Sequence, residues 1–178
     1  MLTTPTADAA ERSANATFDA LLWALSRPGL PRQLPQAGEP ALIAALVDRE
    51  CHVYAGDPLL IPVVTQCGAK LVELPQADHA FLGGLTEPEL LRQLRCGSDL
   101  YPDDGATVVI RARFGTGAQV RLTGPGVNGA VDVQIGGLPD GFWARRAEMI
   151  RYPMGFDMLL LDAAQVIGLP RSTKVEVL

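Results

Sequence analysis

Apolar residues recur at helical spacing in "TFDALLWALSRPG", where Phe18, Leu21, Leu22 and Leu25 fall on one side and Pro28-Gly29 stops the run. This is the end of a first helix. Trp23 points away from that stripe, and a helix apolar on two faces is either sandwiched inside the domain or buries its second face on a partner. "EPALIAALVDRE" predicts a second short helix, and "CHVYAG" alternates as a strand does. "DPLLIPVVTQCG" reads as another helix, with Pro62 set against it. In "LTEPELLRQLRCGS", Thr86 and Glu89 have capping-box spacing, Leu90, Leu91 and Leu94 form a stripe, and Gly97 stands where a left-handed C-cap belongs.

From "GATVVIRAR" onward the period changes to two, with "QVRLTG" and "AVDVQIG" as further strands and Gly or Pro at the junctions. Helix returns in "PDGFWARRAEMIRYP". The strands "DMLLLD" and "TKVEVL" then flank "AQVIGLP", which can itself be a strand. Helices mixed with strands throughout predict one α/β domain over residues 1–178, its helices packed on a mixed sheet. No repeat, linker or low-complexity segment divides it.

Composition narrows the functional classes. The 178 residues are 48% hydrophobic and 20% charged, enough to bury a real core, and the net charge is −5. An acidic chain is a poor nucleic-acid binder, since binding there rests on a basic face that displaces condensed cations. Cys51, Cys67 and Cys96 are odd in number and widely spaced, which argues for reduced thiols in the cytoplasm. The polar start "MLTTPTADAAERS" lacks the basic, then apolar, pattern of a signal peptide, and no apolar stretch approaches a membrane span.

Several motifs hint at chemistry. Gly124, Gly126 and Gly129 satisfy G-x-G-x-x-G after a strand, but the alternating "AVDVQIGG" follows where a phosphate-binding helix belongs, so a hairpin turn is the better reading. With only His52 and His79, and only Cys51 beside a histidine, neither a metal site nor a nucleophilic triad is expected. Asp99, Asp103 and Asp104 in "GSDLYPDDG" read as turn residues. Asp157 precedes an apolar strand, and Arg151 is its expected ion-pair partner. Arg146 lies one helical turn from Phe142 and from Ile150, so its stem joins an apolar stripe with Trp143. Its guanidinium either snorkels to the core's edge or reaches an acid or a ligand phosphate. In "GLPRSTKVEVL", Arg171, Ser172 and Thr173 can donate to phosphate oxygens, whereas Lys174 reads as a solvated charge.

Taken in order, "FDALLWALSRPGL", "PDDGATVVI", "VRLTGPGV", "YPMGFDMLLL" and "GLPRSTKVEV" resemble the PhnH family, which belongs to the carbon-phosphorus lyase system of phosphonate metabolism. The matching pieces span nearly the whole chain. The resemblance implies a fold like that of the pyridoxal-phosphate-dependent transferases, reduced to one domain with three layers, helices on both faces of a mixed sheet, and no cofactor lysine. It also implies partnership with the carbon-phosphorus lyase subunits G, I and J and self-pairing as a homodimer. The complex they form displaces adenine from ATP by methylphosphonate, giving α-D-ribose 1-methylphosphonate 5-triphosphate. No catalytic residue and no cofactor carries over, so a non-catalytic assembly role is expected, with Trp23 and Trp143 as interface candidates. The alternative is an independent phosphate-ligand or nucleotide-binding protein, or a transferase, using Arg171, Ser172 and Thr173, with Arg146.

Overall fold

The first helix starts well before its apolar stripe. In the computed structural model, which describes residues 6–178, α1 covers Ala9–Ser26. Asp8 caps it: its side chain accepts from the Glu11 amide at 2.8 Å, while the Glu11 carboxylate accepts from the Asp8 amide at 2.9 Å. The buried face consists of Thr17, Ala20, Leu21 and Ala24. Phe18 and Leu22, expected beside Leu21, instead stand out in solvent at 50% and 58% exposure. Small residues at the contact let the helix backbone come close to the sheet, and the two larger side chains stay outside. Trp23 is half-buried under two guanidinium groups, Arg27 at 5.7 Å and Arg32 at 5.0 Å from its ring centre.

After α1 the chain forms β1 (Arg32–Gln33), α2 (Glu39–Leu46), β2 (His52–Ala55), a 3₁₀ turn at Pro58–Leu60, α3 (Ile61–Gln66), β3 (Lys70–Leu71) and β4 (His79–Gly83). Pro62 does not break α3, because it sits in the first turn where its missing N–H has no intrahelical partner to lose. The remainder comprises β5 (Thr107–Arg111), β6 (Arg113–Thr123), β7 (Val131–Gly136), α4 (Phe142–Met149), β8 (Asp157–Asp162), β9 (Gln165–Leu169) and β10 (Lys174–Val177). Seven strands form the main sheet in the order β1-β9-β8-β5-β4-β2-β3, parallel from β3 through β8 and antiparallel at β8-β9-β1. A second sheet, β10-β6-β7, is antiparallel throughout.

The two faces of the main sheet are covered differently. Val53, Phe81, Val109, Leu159 and Leu161 point into a core shared with Ala20, Leu21 and Ala24 of α1 and Leu42 and Ile43 of α2. Val108, Ile110, Met158 and Leu160 point into the other core, against Phe142 and Trp143 of α4 and Val120, Leu122 and Ile135 of the small sheet. The molecule is therefore a mixed α/β fold, but helices do not cover both faces alike. On the second face α4 shares the covering with three strands, because a helix of eight residues spans only about 12 Å.

Two segments depart from the sequence pattern. β4 carries no alternation, since Ala80, Phe81 and Leu82 are all buried in a central strand covered on both sides. "LTEPELLRQLRCGS" forms a 3₁₀ helix over Pro88–Gln93 in place of the expected capped α-helix. Its N-cap is Glu87, no side chain caps it, and Gly97, at φ +72°, lies beyond it beside the Cys96–Gly105 bridge. Leu91 and Leu94 are the residues driven into the core, at 0% and 5% exposure, and a spacing of three is the 3₁₀ period.

Helix α1 rests directly on β9 at Gly168. A Cβ placed there would stand 2.6 Å from the Ala24 carbonyl carbon and oxygen and from the Leu25 nitrogen, all backbone atoms that cannot swing away. Gly168→Ala is thus expected to overpack the contact and lower stability by about 1–3 kcal/mol, seen as a fall in the urea midpoint with an unchanged slope.

Candidate functional site

Arg146 occupies an unusual place for a guanidinium. Gly141, left-handed at φ +78°, starts α4, and residues 142, 143 and 146 then share its inward face. Phe142 and Trp143 pack edge to face with ring centres 5.0 Å apart, and Arg146 follows them inward to 3% exposure. Two of its nitrogens donate to main-chain carbonyls of the β9–β10 loop: Nη1 to Thr173 at 3.2 Å and Nη2 to Pro170 at 3.0 Å. Its Nε has no hydrogen-bond partner, and neither does the buried Oγ1 of Thr173. Among the described residues no carboxylate comes within salt-bridge distance of it. Burial pushes its pKa down to about 10, with the charge of Asp157 opposing the shift, so the group still carries its proton at neutral pH.

Arg171 is held elsewhere. Its backbone N–H donates to Asp157 Oδ1 at 2.8 Å, Nη2 donates to Asp157 Oδ2 at 2.7 Å, and Nε lies 3.2 and 3.3 Å from the two carboxylate oxygens. Nη1 and Nη2 also reach the carbonyls of Pro102 and Gly105. Asp157 thus pairs with Arg171, in place of the expected Arg151, whose backbone instead bridges to Met154. The reason is topological: β8 and β9 are antiparallel, so Asp157 at the start of one faces the residues just past the end of the other.

Arg146, Arg171, Ser172, Thr173 and Lys174 all line one cavity of about 470 Å³, whose apolar wall includes Trp143, Ile150 and Tyr152. The four residues read from the sequence as possible phosphate donors are brought together, although Arg171 arrives with its donors engaged. Lys174 is exposed.

Other sequence features find structural roles. Gly124, Gly126 and Gly129 all have positive φ and turn the chain between β6 and β7, which pair antiparallel, as a hairpin requires. A Cβ on Gly126 would collide with the Ser26 carbonyl oxygen, so this turn is packed against the end of α1. Asp104 ends a short 3₁₀ turn and lies 3.7 Å from Arg95, which also pairs with Asp78. His52 Nδ1 is 3.0 Å from the same Asp78. Cys51 donates weakly to Asp48, and burial raises its thiol pKa, which makes it a poor nucleophile. Among the described residues no three His, Cys, Asp or Glu side chains gather as they would around a metal ion, and no helix is long and apolar enough to cross a membrane.

A network that the sequence pattern does not reveal joins α4 to the preceding 3₁₀ segment. Arg145 pairs with Glu89 and Glu148, and Arg92 lies 3.1 Å from Glu89 and 3.3 Å from Glu148. The i,i+3 pairs within each element are legible in the sequence, but the cross-links need the fold. A second cluster joins buried Glu39, 4% exposed, to the exposed Arg111 at 2.5 Å, with Arg111 also 2.8 Å from Asp57.

Two measurements follow from this geometry. An Asp157→Ala, Arg171→Ala double-mutant cycle should return a coupling of about 0.5–3 kcal/mol, whereas Asp157→Ala with Arg151→Ala should return none. His79, with Nδ1 buried and unpartnered, has its pKa lowered below 6.5 by burial. The unfolded chain therefore binds a proton there that the folded chain resists. Stability should decline as pH falls below about 6.5, and His79→Asn should flatten that slope in urea titrations.

Comparison with known proteins places this architecture. The family model described as "Bacterial phosphonate metabolism protein (PhnH)" matches residues 5–176. A protein of Stutzerimonas stutzeri named "Putative C-P lyase subunit protein HtxG" is 34% identical over 169 residues, covering 89% of this chain and 83% of that one. The "Alpha-D-ribose 1-methylphosphonate 5-triphosphate synthase subunit PhnH" of Rhizobium meliloti (strain 1021) is 28% identical over 183 residues, covering 92% of this chain and 90% of that protein. With a match that runs through both sheets, the four α-helices of the described residues and the cavity, this chain belongs to the PhnH family of bacterial phosphonate metabolism proteins.

Proposed function

We propose that this chain is a subunit of a carbon-phosphorus lyase core complex, supporting formation of α-D-ribose 1-methylphosphonate 5-triphosphate from ATP and methylphosphonate, with no catalytic machinery of its own. The observation that carries this reading is the family match over residues 5–176, together with two relatives both named as subunits. The chemistry of the side chains agrees. The thiol pKa values of Cys51, Cys67 and Cys96 are all raised by burial. Raised thiols are not tuned toward nucleophilic work at neutral pH.

A subunit needs surface to share. Phe18 and Leu22 stand one turn apart on the outer face of α1, the helix that also carries Trp23, while Leu59, in the 3₁₀ turn before α3, and Ile61, its first residue, are 81% and 41% exposed. Exposed apolar side chains on helices are what a partner surface uses, whereas the buried Trp143 is already packed in the core. We assign the partners to subunits of types G, I and J and to a second copy of this chain. The mixed seven-stranded sheet supports kinship with the pyridoxal-phosphate-dependent transferases. Lys70 and Lys174 are both exposed, so neither offers the buried amine of a Schiff-base site. An independent transferase built on the Arg171 guanidinium is disfavoured, because Asp157 and two carbonyls already engage it.

Affinity capture of the tagged chain from cells growing on methylphosphonate should recover the other subunits. Phe18→Glu combined with Leu22→Glu should cut that recovery at least tenfold while leaving the thermal midpoint of the isolated chain within about 2 °C, since both side chains are exposed. Full turnover by a complex that lacks this chain would exclude the proposal.

A further inference from the structure

The cavity between α4 and the β9–β10 loop is electrostatically unfinished. Arg146, Arg171 and Lys174 line it, and among the described residues no acidic side chain does. Asp157, the carboxylate whose charge acts on Arg146, has both oxygens engaged by Arg171. In a chain of net charge −5, this one cavity holds an excess of positive charge. Arg146 bears most of the cost, because a guanidinium at 3% exposure has lost its water and gained only two neutral carbonyls. Beside it Thr173 Oγ1 is buried without a partner, as is Arg146 Nε. Native interiors seldom leave two such groups unsatisfied on neighbouring residues.

Packing alone does not require this arrangement. A Leu or Met at position 146 would complete the stripe of Phe142 and Trp143 with no desolvated charge, and a Val at 173 would fill the space of the threonine with no orphaned hydroxyl. What the two polar groups have in common is the ability to donate to an anion. Ser172 adds a hydroxyl on the same loop, and exposed Lys174 adds a mobile positive charge. The rest of the lining includes Trp143, Ile150, Tyr152 and Val175 and is largely apolar, which suits a ligand whose charged end is small and whose remainder is not charged.

We propose that this cavity binds a tetrahedral phosphorus oxyanion, a phosphonate or a phosphate ester, held by Arg146 and Thr173 with Ser172 and Lys174. Arg171 is a positioning residue: locked to Asp157, it fixes the loop that carries Ser172 and Thr173. The site is a property of the isolated chain and does not depend on the assembly reading above.

Isothermal titration of the purified chain with methylphosphonate, methyl phosphate and inorganic phosphate tests it, with chloride at equal ionic strength as the control. Saturable binding of at least one phosphorus anion is expected. Whether methylphosphonate or methyl phosphate binds more tightly then names the source, and either order supports the site. Thr173→Val removes only a hydroxyl that has no partner in the free protein. It should therefore weaken binding about tenfold with the thermal midpoint unchanged or raised. Lys174→Ala, at an exposed position, should weaken binding by a smaller factor that shrinks with added salt. Arg146→Met should abolish binding; because it also frees two carbonyls, the threonine variant carries the decision if it fails to fold. The absence of saturable binding by all three anions overturns the proposal, as does wild-type affinity in both Thr173→Val and Lys174→Ala.

Discussion

The carboxylate of Asp157 can neutralise one guanidinium, and it neutralises Arg171. Much of the molecule's character depends on that assignment. The pair ties the first residue of β8 to the loop leaving β9, and through Arg171 it also holds the carbonyls of Pro102 and Gly105. Three chain segments that meet nowhere in sequence are fixed around one group. The same choice leaves Arg146, which lines the same cavity, with only carbonyls for hydrogen-bond partners. Had Asp157 turned toward Arg146, that buried guanidinium would be compensated, Arg171 would be left free in its place, and the loop would be unanchored. Order in one place and unsatisfied charge in the next are two results of a single pairing.

The unequal covering of the main sheet explains where the cavity lies. On one face α1, α2 and α3 present aliphatic side chains to a continuous core. On the other, α4 is too short to cover the sheet and shares the task with β10-β6-β7. A helix and a twisted sheet have different surface periods, and the seam between them does not close. The cavity lies along that seam, between α4 and the loop into β10.

The elements most legible in the sequence are those whose burial is one-sided. β6 and β7 alternate because the small sheet buries only one of its faces, and the G-x-G-x-x-G run resolves into a hairpin for the same reason. β4 is invisible to such a reading because both of its faces are covered, which erases the period. The stripe on α1 misleads at Phe18 and Leu22, since apolar spacing says which residues share a side and not whether the sheet or the solvent meets them. In the 85–98 segment, a capping-box spacing loses to the demand that Leu91 and Leu94 enter the core together. The four cavity residues are legible as donors. Their division into one engaged arginine and one unsatisfied one is not, because it depends on strand pairing across 14 residues.

Gly168 and Gly126 bring the end of α1 into bare contact with β9 and with the hairpin turn that carries the cavity residue Pro125. Backbone meets backbone at both points, with no flexible side chain between to absorb a shift. The helix and the strands beneath it consequently behave as one stiff piece, and a load applied to the outer face of α1 reaches the sheet and the cavity rim without slack.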